Sequence, residues 1–310
     1  MAGCAGRSWQ TNWPDQLPRQ ADNETVPFFP QQKFHCGPAA LATLLNFYDP
    51  SQDYSPDHLA TKTFTPGVKG TYALDMLGAS RRQGFIPYPA PMELSSVLAQ
   101  VAAGQPSIWL LNLGLSSLPQ WHYAVLVGYD LDGQWVLMRS GQQRYRKMRI
   151  RHFEKARRLG GYWGIVPLLP DQLPNPLESQ IDNQLHWQRI YQAQLDFSQV
   201  HPNKGLSALL QGGKAFPLQW QFEFAAGNLA FSLGQFSQAE SHYRIALDKN
   251  IEAAEVWNNL AYVYRADRPK AEAAIRCALH WQPESETFRD SYFDLMGERA
   301  VGPFSCESIE

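Results

Sequence analysis

Cys36 is followed by Gly37, Pro38 and an Ala/Leu-rich run to Leu45, which places its thiol at the start of a buried helix. A thiol there faces unpaired backbone N–H groups and the positive end of the macrodipole. Both predict a lowered pKa and a reactive thiolate. Gln31 lies five residues upstream, close enough for its side-chain amide to donate a hydrogen bond where an acyl oxyanion would form. Far downstream, His122 opens the apolar run Trp121–Asp130 (WHYAVLVGYD). A cysteine and a histidine far apart in sequence that meet in space form the usual layout of a nucleophile and its base. His35 flanks the nucleophile as a bystander able to perturb it by proximity. Gln32, beside Gln31, is an alternative for the inward-turned amide.

The elements that must hold these groups follow from periodicity. Helical patterns cover residues 36–48, 56–62, 71–83 and 93–103, with Thr71 as the N-cap of the third. Strand-like runs then cover Ser107–Leu113, His122–Tyr129, Trp135–Arg139, Arg144–Arg151 and Tyr162–Pro167. Helices first and strands afterwards predict an α+β domain with the nucleophile helix packed on an antiparallel sheet. Residues 144–158 carry eight Lys/Arg in fifteen positions. The alternation in their first half predicts a strand with one solvated charged face, and attraction to an anionic lipid or acidic partner is the functional alternative.

The Gln31 and Cys36-Gly-Pro-Ala block, followed by the His122-Tyr-Ala-Val-Leu-Val-Gly-Tyr strand, resembles cysteine peptidase family 39 over roughly residues 25–168. This papain-like group includes peptidases that cleave bacteriocin leaders after double glycine, as well as standalone relatives. The resemblance implies a papain-like fold, with Cys36 as nucleophile, His122 as general base and Gln31 as oxyanion donor. One departure stands out. The family usually carries an Asp on the next strand to orient the histidine, and here Ser140 occupies that neighbourhood. A serine hydroxyl can hold the imidazole but brings no charge to stabilise imidazolium. Asp130 and Asp132 are alternative orienters, placed less favourably in the hairpin turn.

A Pro-rich stretch, residues 169–179, separates this domain from a helical half, residues 180–297. Residues 221–253 match a tetratricopeptide repeat, with Gly227, Gly234, Ala239, Tyr243 and Ala246 at the positions where two helices cross closely. Trp257, Leu260, Ala261 and Tyr264 begin a second repeat, and Glu286–Met296 is expected to cap it. A helix is expected over 180–197, no repeat pattern is legible over 201–219, and a loose tail is expected over 298–310.

The chain has 310 residues, a net charge of −2 and four cysteines, Cys4, Cys36, Cys277 and Cys306. The near-neutral balance argues against a nucleic-acid-binding surface. No apolar run of about 18 residues spans a membrane. The cysteines have neither disulfide-framework nor metal spacing, so no disulfide and no cofactor is predicted. Ala2-Gly3-Cys4 resembles the end of a bacterial lipobox. On that reading the signal peptide has been removed, Cys4 carries the lipid, Ala5 favours the outer membrane, and residues 1–24 tether a domain facing the periplasm.

The reading that follows is a thiol-dependent peptidase or amidohydrolase acting on a peptide, with the repeats recruiting substrate or a protein partner. The alternative, favoured by Ser140, is a catalytically weak or inactive papain-like peptide-binding module on a membrane-tethered scaffold.

Overall fold

The computed structural model describes residues 13–31, 35–63, 65, 67, 70–174 and 183–306. Cys4 and Gln32 therefore lie outside the described residues. The chain divides into two compact units between Ala193 and Gln194. The division falls inside a helix, beyond the Pro-rich stretch where the sequence predicts it. Residues 169–174 of that stretch are held to the first unit, Leu173 accepting a hydrogen bond from the Gln105 amide.

In the first unit the elements run β1 (Gln20–Asp22), α1 (Cys36–Tyr48), α2 (Pro56–Thr63), α3 (Ala73–Arg82), β2 (Ile86–Pro89), α4 (Leu94–Ala102), β3 (Ser107–Asn112), β4 (Trp121–Asp130), β5 (Trp135–Ser140), β6 (Gln143–Arg149), α5 (Ile150–Leu159) and β7 (Gly164–Leu168). They form the expected α+β domain. One antiparallel sheet has the order β2-β7-β3-β4-β5-β6, and β1 pairs with β4. The buried face of α1, Leu41, Leu44 and Leu45, packs with Tyr123, Val125 and Val127 of β4. That burial of large apolar side chains fixes the helix against the strand. On α5, Phe153 meets Trp109 of β3 edge to face.

Three local expectations are corrected. Residues 13–24 are not a free tether: Leu17 is buried, the Tyr129 hydroxyl bonds the Pro18 carbonyl, and Gln20–Asp22 add a strand to the sheet. The basic strand ends at Arg149 rather than Arg151. Ile150, Phe153 and Ala156, three apart, turn inward as the buried stripe of α5. The N-cap of α3 is Tyr72, which makes no side-chain cap, and not Thr71. Thr71 is instead pressed against Gly37.

The helix α6 (Asn183–Val200) runs across the division, and α7 (Pro202–Ala215), α8 (Gln221–Ser232), α9 (Phe236–Lys249), α10 (Ala254–Val263), α11 (Arg268–Trp281) and α12 (Glu286–Met296) follow. The stretch 201–219, without legible repeat pattern, is largely the helix α7. A Cβ at Gly227 would lie 2.5 Å from the Tyr243 ring, so α8 and α9 cross closely because position 227 is glycine. Trp257, Leu260, Ala261, Ile275 and Leu279 continue the same core into the next hairpin.

Two further expectations fail in this unit. Cys277 and Cys306 form a disulfide, so a cross-link exists where the spacing of the cysteines indicates none. The tail is not loose over its described length either. Phe304 packs on the core, and the Arg276 guanidinium and the His280 ring bond the Pro303 and Phe304 carbonyls.

Candidate active site

Helix α1 starts at Cys36 because Pro38, in its first turn, lacks an N–H that would have no partner there. Its N-cap His35 makes no side-chain cap, and no acidic residue occupies the first turn. The first N–H groups therefore remain directed at whatever sits beyond the helix. Gly37 permits this placement. A Cβ there would meet Thr71 Cβ and Oγ1 at 2.9 Å and the Met76 sulfur at 3.1 Å.

Cys36, the one free cysteine among the described residues, is partly buried. Backbone N–H groups of Tyr123, Gly37 and Cys36 itself act on its sulfur and favour the thiolate, but burial outweighs them and raises the thiol pKa. The lowered pKa predicted from the helix end is thus reversed. The dipole is present, but the burial of the thiol outweighs it.

The thiol opens into a narrow cleft with about 10 Å³ of free interior, room for roughly one water. Phe28, Phe29, Gln31, Tyr123, Arg139, Ser140 and Gly141 line it with Cys36. Gln31 is held there through its backbone: its N–H donates to the Gly141 carbonyl at 3.0 Å, and its carbonyl accepts from the Gln142 amide.

His122 immediately precedes Tyr123, whose N–H points at the Cys36 sulfur. Its Nε2 lies 2.8 Å from Ser140 Oγ, so Ser140 joins the imidazole to the cleft. Arg146 Nη1 donates to the same hydroxyl at 3.5 Å. Burial, and secondarily the Arg146 charge, push the His122 pKa down to about 4. Asp130 and Asp132 are engaged elsewhere, Asp130 accepting from the Gly133 N–H and Asp132 from Arg19. Among the described residues no hydrogen bond joins Cys36 to His122. Such bonds commonly tighten only when substrate is bound.

Two residues escape the sequence reading. Arg139 is buried on β5 and lines the cleft, donating to the Val26, Glu24 and Arg144 carbonyls. It clamps the segment that leads to Phe28 and Gln31. Arg146 reaches Ser140 from β6. The signal for Arg139 is a charge in an otherwise apolar strand; a basic run masks Arg146. Among the described residues no group of three His, Cys, Asp or Glu is placed to hold a metal ion, and no helix is long and apolar enough to cross a membrane.

No curated protein matches the chain by sequence at a significant level. Among solved structures, a C39-like peptidase from Bacillus anthracis is similar at 18% identity and TM-score 0.41, covering 49% of this chain and 98% of its own. The first tetratricopeptide-repeat domain of Spaghetti (RPAP3), solved with an HSP90 peptide, is similar at 15% identity and TM-score 0.32, covering 35% of this chain and 91% of its own. An Arabidopsis OM64 tetratricopeptide-repeat domain is similar at 17% identity and TM-score 0.33, covering 36% of this chain and 92% of its own. Residues 23–163, which carry Gln31, Cys36, His122 and Ser140, match the Peptidase_C39 like family.

Proposed function

We propose that the first unit is a thiol hydrolase acting on a peptide or amide bond. What carries the reading is one cleft in which the Cys36 thiol, at a helix N-terminus, sits with Gln31 and with Ser140, the hydroxyl bonded to His122. His122, neutral above about pH 4, takes the thiol proton as the sulfur attacks the carbonyl carbon. The Sγ–C bond forms while the Gln31 amide and the Cys36 N–H hold the oxyanion. As the C–N bond breaks, the proton passes from His122 to the leaving amine. Water, deprotonated in turn by His122, attacks the thioester carbon; the Sγ–C bond breaks, the acid product leaves and the His122 proton returns to the sulfur.

The helical unit recruits the substrate or a protein partner, as stacked helix pairs present an extended surface. Cys4 carries a lipid anchor, and the chain works in the bacterial envelope, facing the periplasm. The Cys277–Cys306 disulfide supports an oxidising compartment.

Treating the chain with a thiol-directed acyl probe tests the reading. Labelling at Cys36 that His122→Ala slows, with Cys36→Ser unlabelled, is the expected result. Absence of labelling in the folded chain favours the second reading, a peptide-binding module without turnover. The observation behind that alternative is Arg146, a cation beside Ser140 where an imidazolium would have to form.

A further inference from the structure

Beside the proposed active site lies a second, larger cavity of about 350 Å³. Leu113, Met148, Ala156 and Leu159 give it apolar walls, while Arg146 from β6 and Lys155 from α5 give it cationic ones, with the His152 imidazole beside them. Among the described residues that line it, none is acidic. The nearest carboxylate in sequence, Glu154 on the same helix, is turned to Arg157 and Tyr162. Arg149 is likewise turned away, its guanidinium 3.8 Å over the Trp135 ring and bonded to the Gly133 carbonyl.

Arg146 belongs to both places. It lines this cavity and also donates to Ser140 Oγ at 3.5 Å, the hydroxyl that holds His122 at 2.8 Å. An anion held in this cavity by Arg146 would offset the cation nearest the imidazole. An anion alone would not use the apolar walls, and an apolar body alone would leave the cations without a partner. A carboxylate on a small apolar residue satisfies both.

We propose that this cavity is a carboxylate subsite that takes the C-terminal residue of an apolar-ended peptide and, through Arg146 and Ser140, supplies the negative charge His122 lacks. The part concerning catalysis rests on the thiol-hydrolase reading; the binding itself does not. The sign of the coupling follows from electrostatics. Neutralising Arg146 removes a repulsion on imidazolium, so the bound carboxylate raises the His122 pKa and makes the base stronger.

The test uses the full chain with three probes: an acetylated tetrapeptide ending in leucine with a free carboxylate, the same peptide as its C-terminal amide, and octanoate. Binding is followed by calorimetry and His122 by its imidazole proton resonance across pH. The free acid is expected to bind and to raise the His122 midpoint by about one pH unit. The amide should do neither, and Lys155→Gln should weaken binding about ten-fold. Arg146→Gln should raise the His122 midpoint without peptide and abolish the response to it.

Equal binding of acid and amide, no binding, or a His122 midpoint that ignores bound acid would overturn the proposal. Tighter binding of octanoate than of the peptide would assign the cavity to an acyl chain instead. Failure of Cys36 to acylate, with the His122 response intact, would remove the hydrolase reading and leave the subsite standing.

Discussion

Ser140 Oγ lies 2.8 Å from His122 Nε2 and also accepts from Arg146. The imidazole is therefore held in place by a group that offers geometry without negative charge. The nearest full charge acting on it is positive, and burial adds to the same effect. Both disfavour imidazolium, the form that a proton transfer from Cys36 would create.

Replacing Ser140 separates geometry from charge. Ser140→Ala should lower turnover of a generic amide by about ten-fold, since it removes one orienting hydrogen bond and leaves Cys36 and Gln31 in place. Ser140→Asp should raise turnover and the His122 pKa together, because a carboxylate stabilises imidazolium. A Ser140→Asp variant with higher His122 pKa and unchanged turnover would show that proton transfer does not limit the reaction.

The His122 pKa also predicts how stability depends on pH. In the unfolded chain an imidazole titrates near about 6.5, whereas in the folded protein it titrates at about 4. Between those values the unfolded chain binds the extra proton, so stability is complete above about pH 6.5 and declines as pH falls toward 4. The loss is on the order of 3 kcal/mol for this one group. Thermal unfolding of His122→Ala across that window should be less pH-dependent than that of the wild type. Parallel curves would mean that His122 is not buried as a neutral base.

Gly37 sets where the thiol sits. In Gly37→Ala the new methyl meets Thr71 Cβ and Oγ1 at 2.9 Å, so either the start of α1 or the Thr71 segment must shift. A cost of about 1–3 kcal/mol is expected for such overpacking. Alkylation of Cys36 should change with it, because the sulfur moves relative to the Tyr123 N–H. Thr71→Gly in the same chain should recover much of the stability and return alkylation toward the wild-type rate. Recovery of stability without recovery of alkylation would indicate that the methyl disturbs the thiol directly.

The sequence made the frame of the site legible where a strong period marks an element. The apolar run after Cys36, the strand opened by His122 and the small residues of the α8–α9 hairpin each carry such a signal. Ser140 could be placed next to His122 only through the family resemblance, which puts an orienting residue on the following strand. What stayed hidden lacked a local signal. Three residues, Gln20–Asp22, are too few to show alternation, and only pairing with β4 makes them a strand. A helix N-terminus is readable from sequence, but how deeply its thiol is buried is not, and burial is the largest influence on the Cys36 pKa. Arg146 sits in a basic strand that reads as a solvated edge, although one of its charges is turned to Ser140.

The disulfide was equally invisible, since Cys277 and Cys306 are separated by 29 residues and only the fold of α11 and the tail brings them together. With Phe304 on the core and the Arg276 and His280 bonds to the tail carbonyls, the cross-link fastens the last described residues to α11. A loop of this length is expected to contribute about 3.5 kcal/mol to the helical unit. Cys306→Ser should lower the unfolding temperature of that unit and expose the tail to proteases. Cys36 alkylation should stay as in the wild type, because the thiol and the cleft around it lie in the first unit. Resistance of the reduced tail to proteolysis would show that packing of Phe304, rather than the cross-link, holds it.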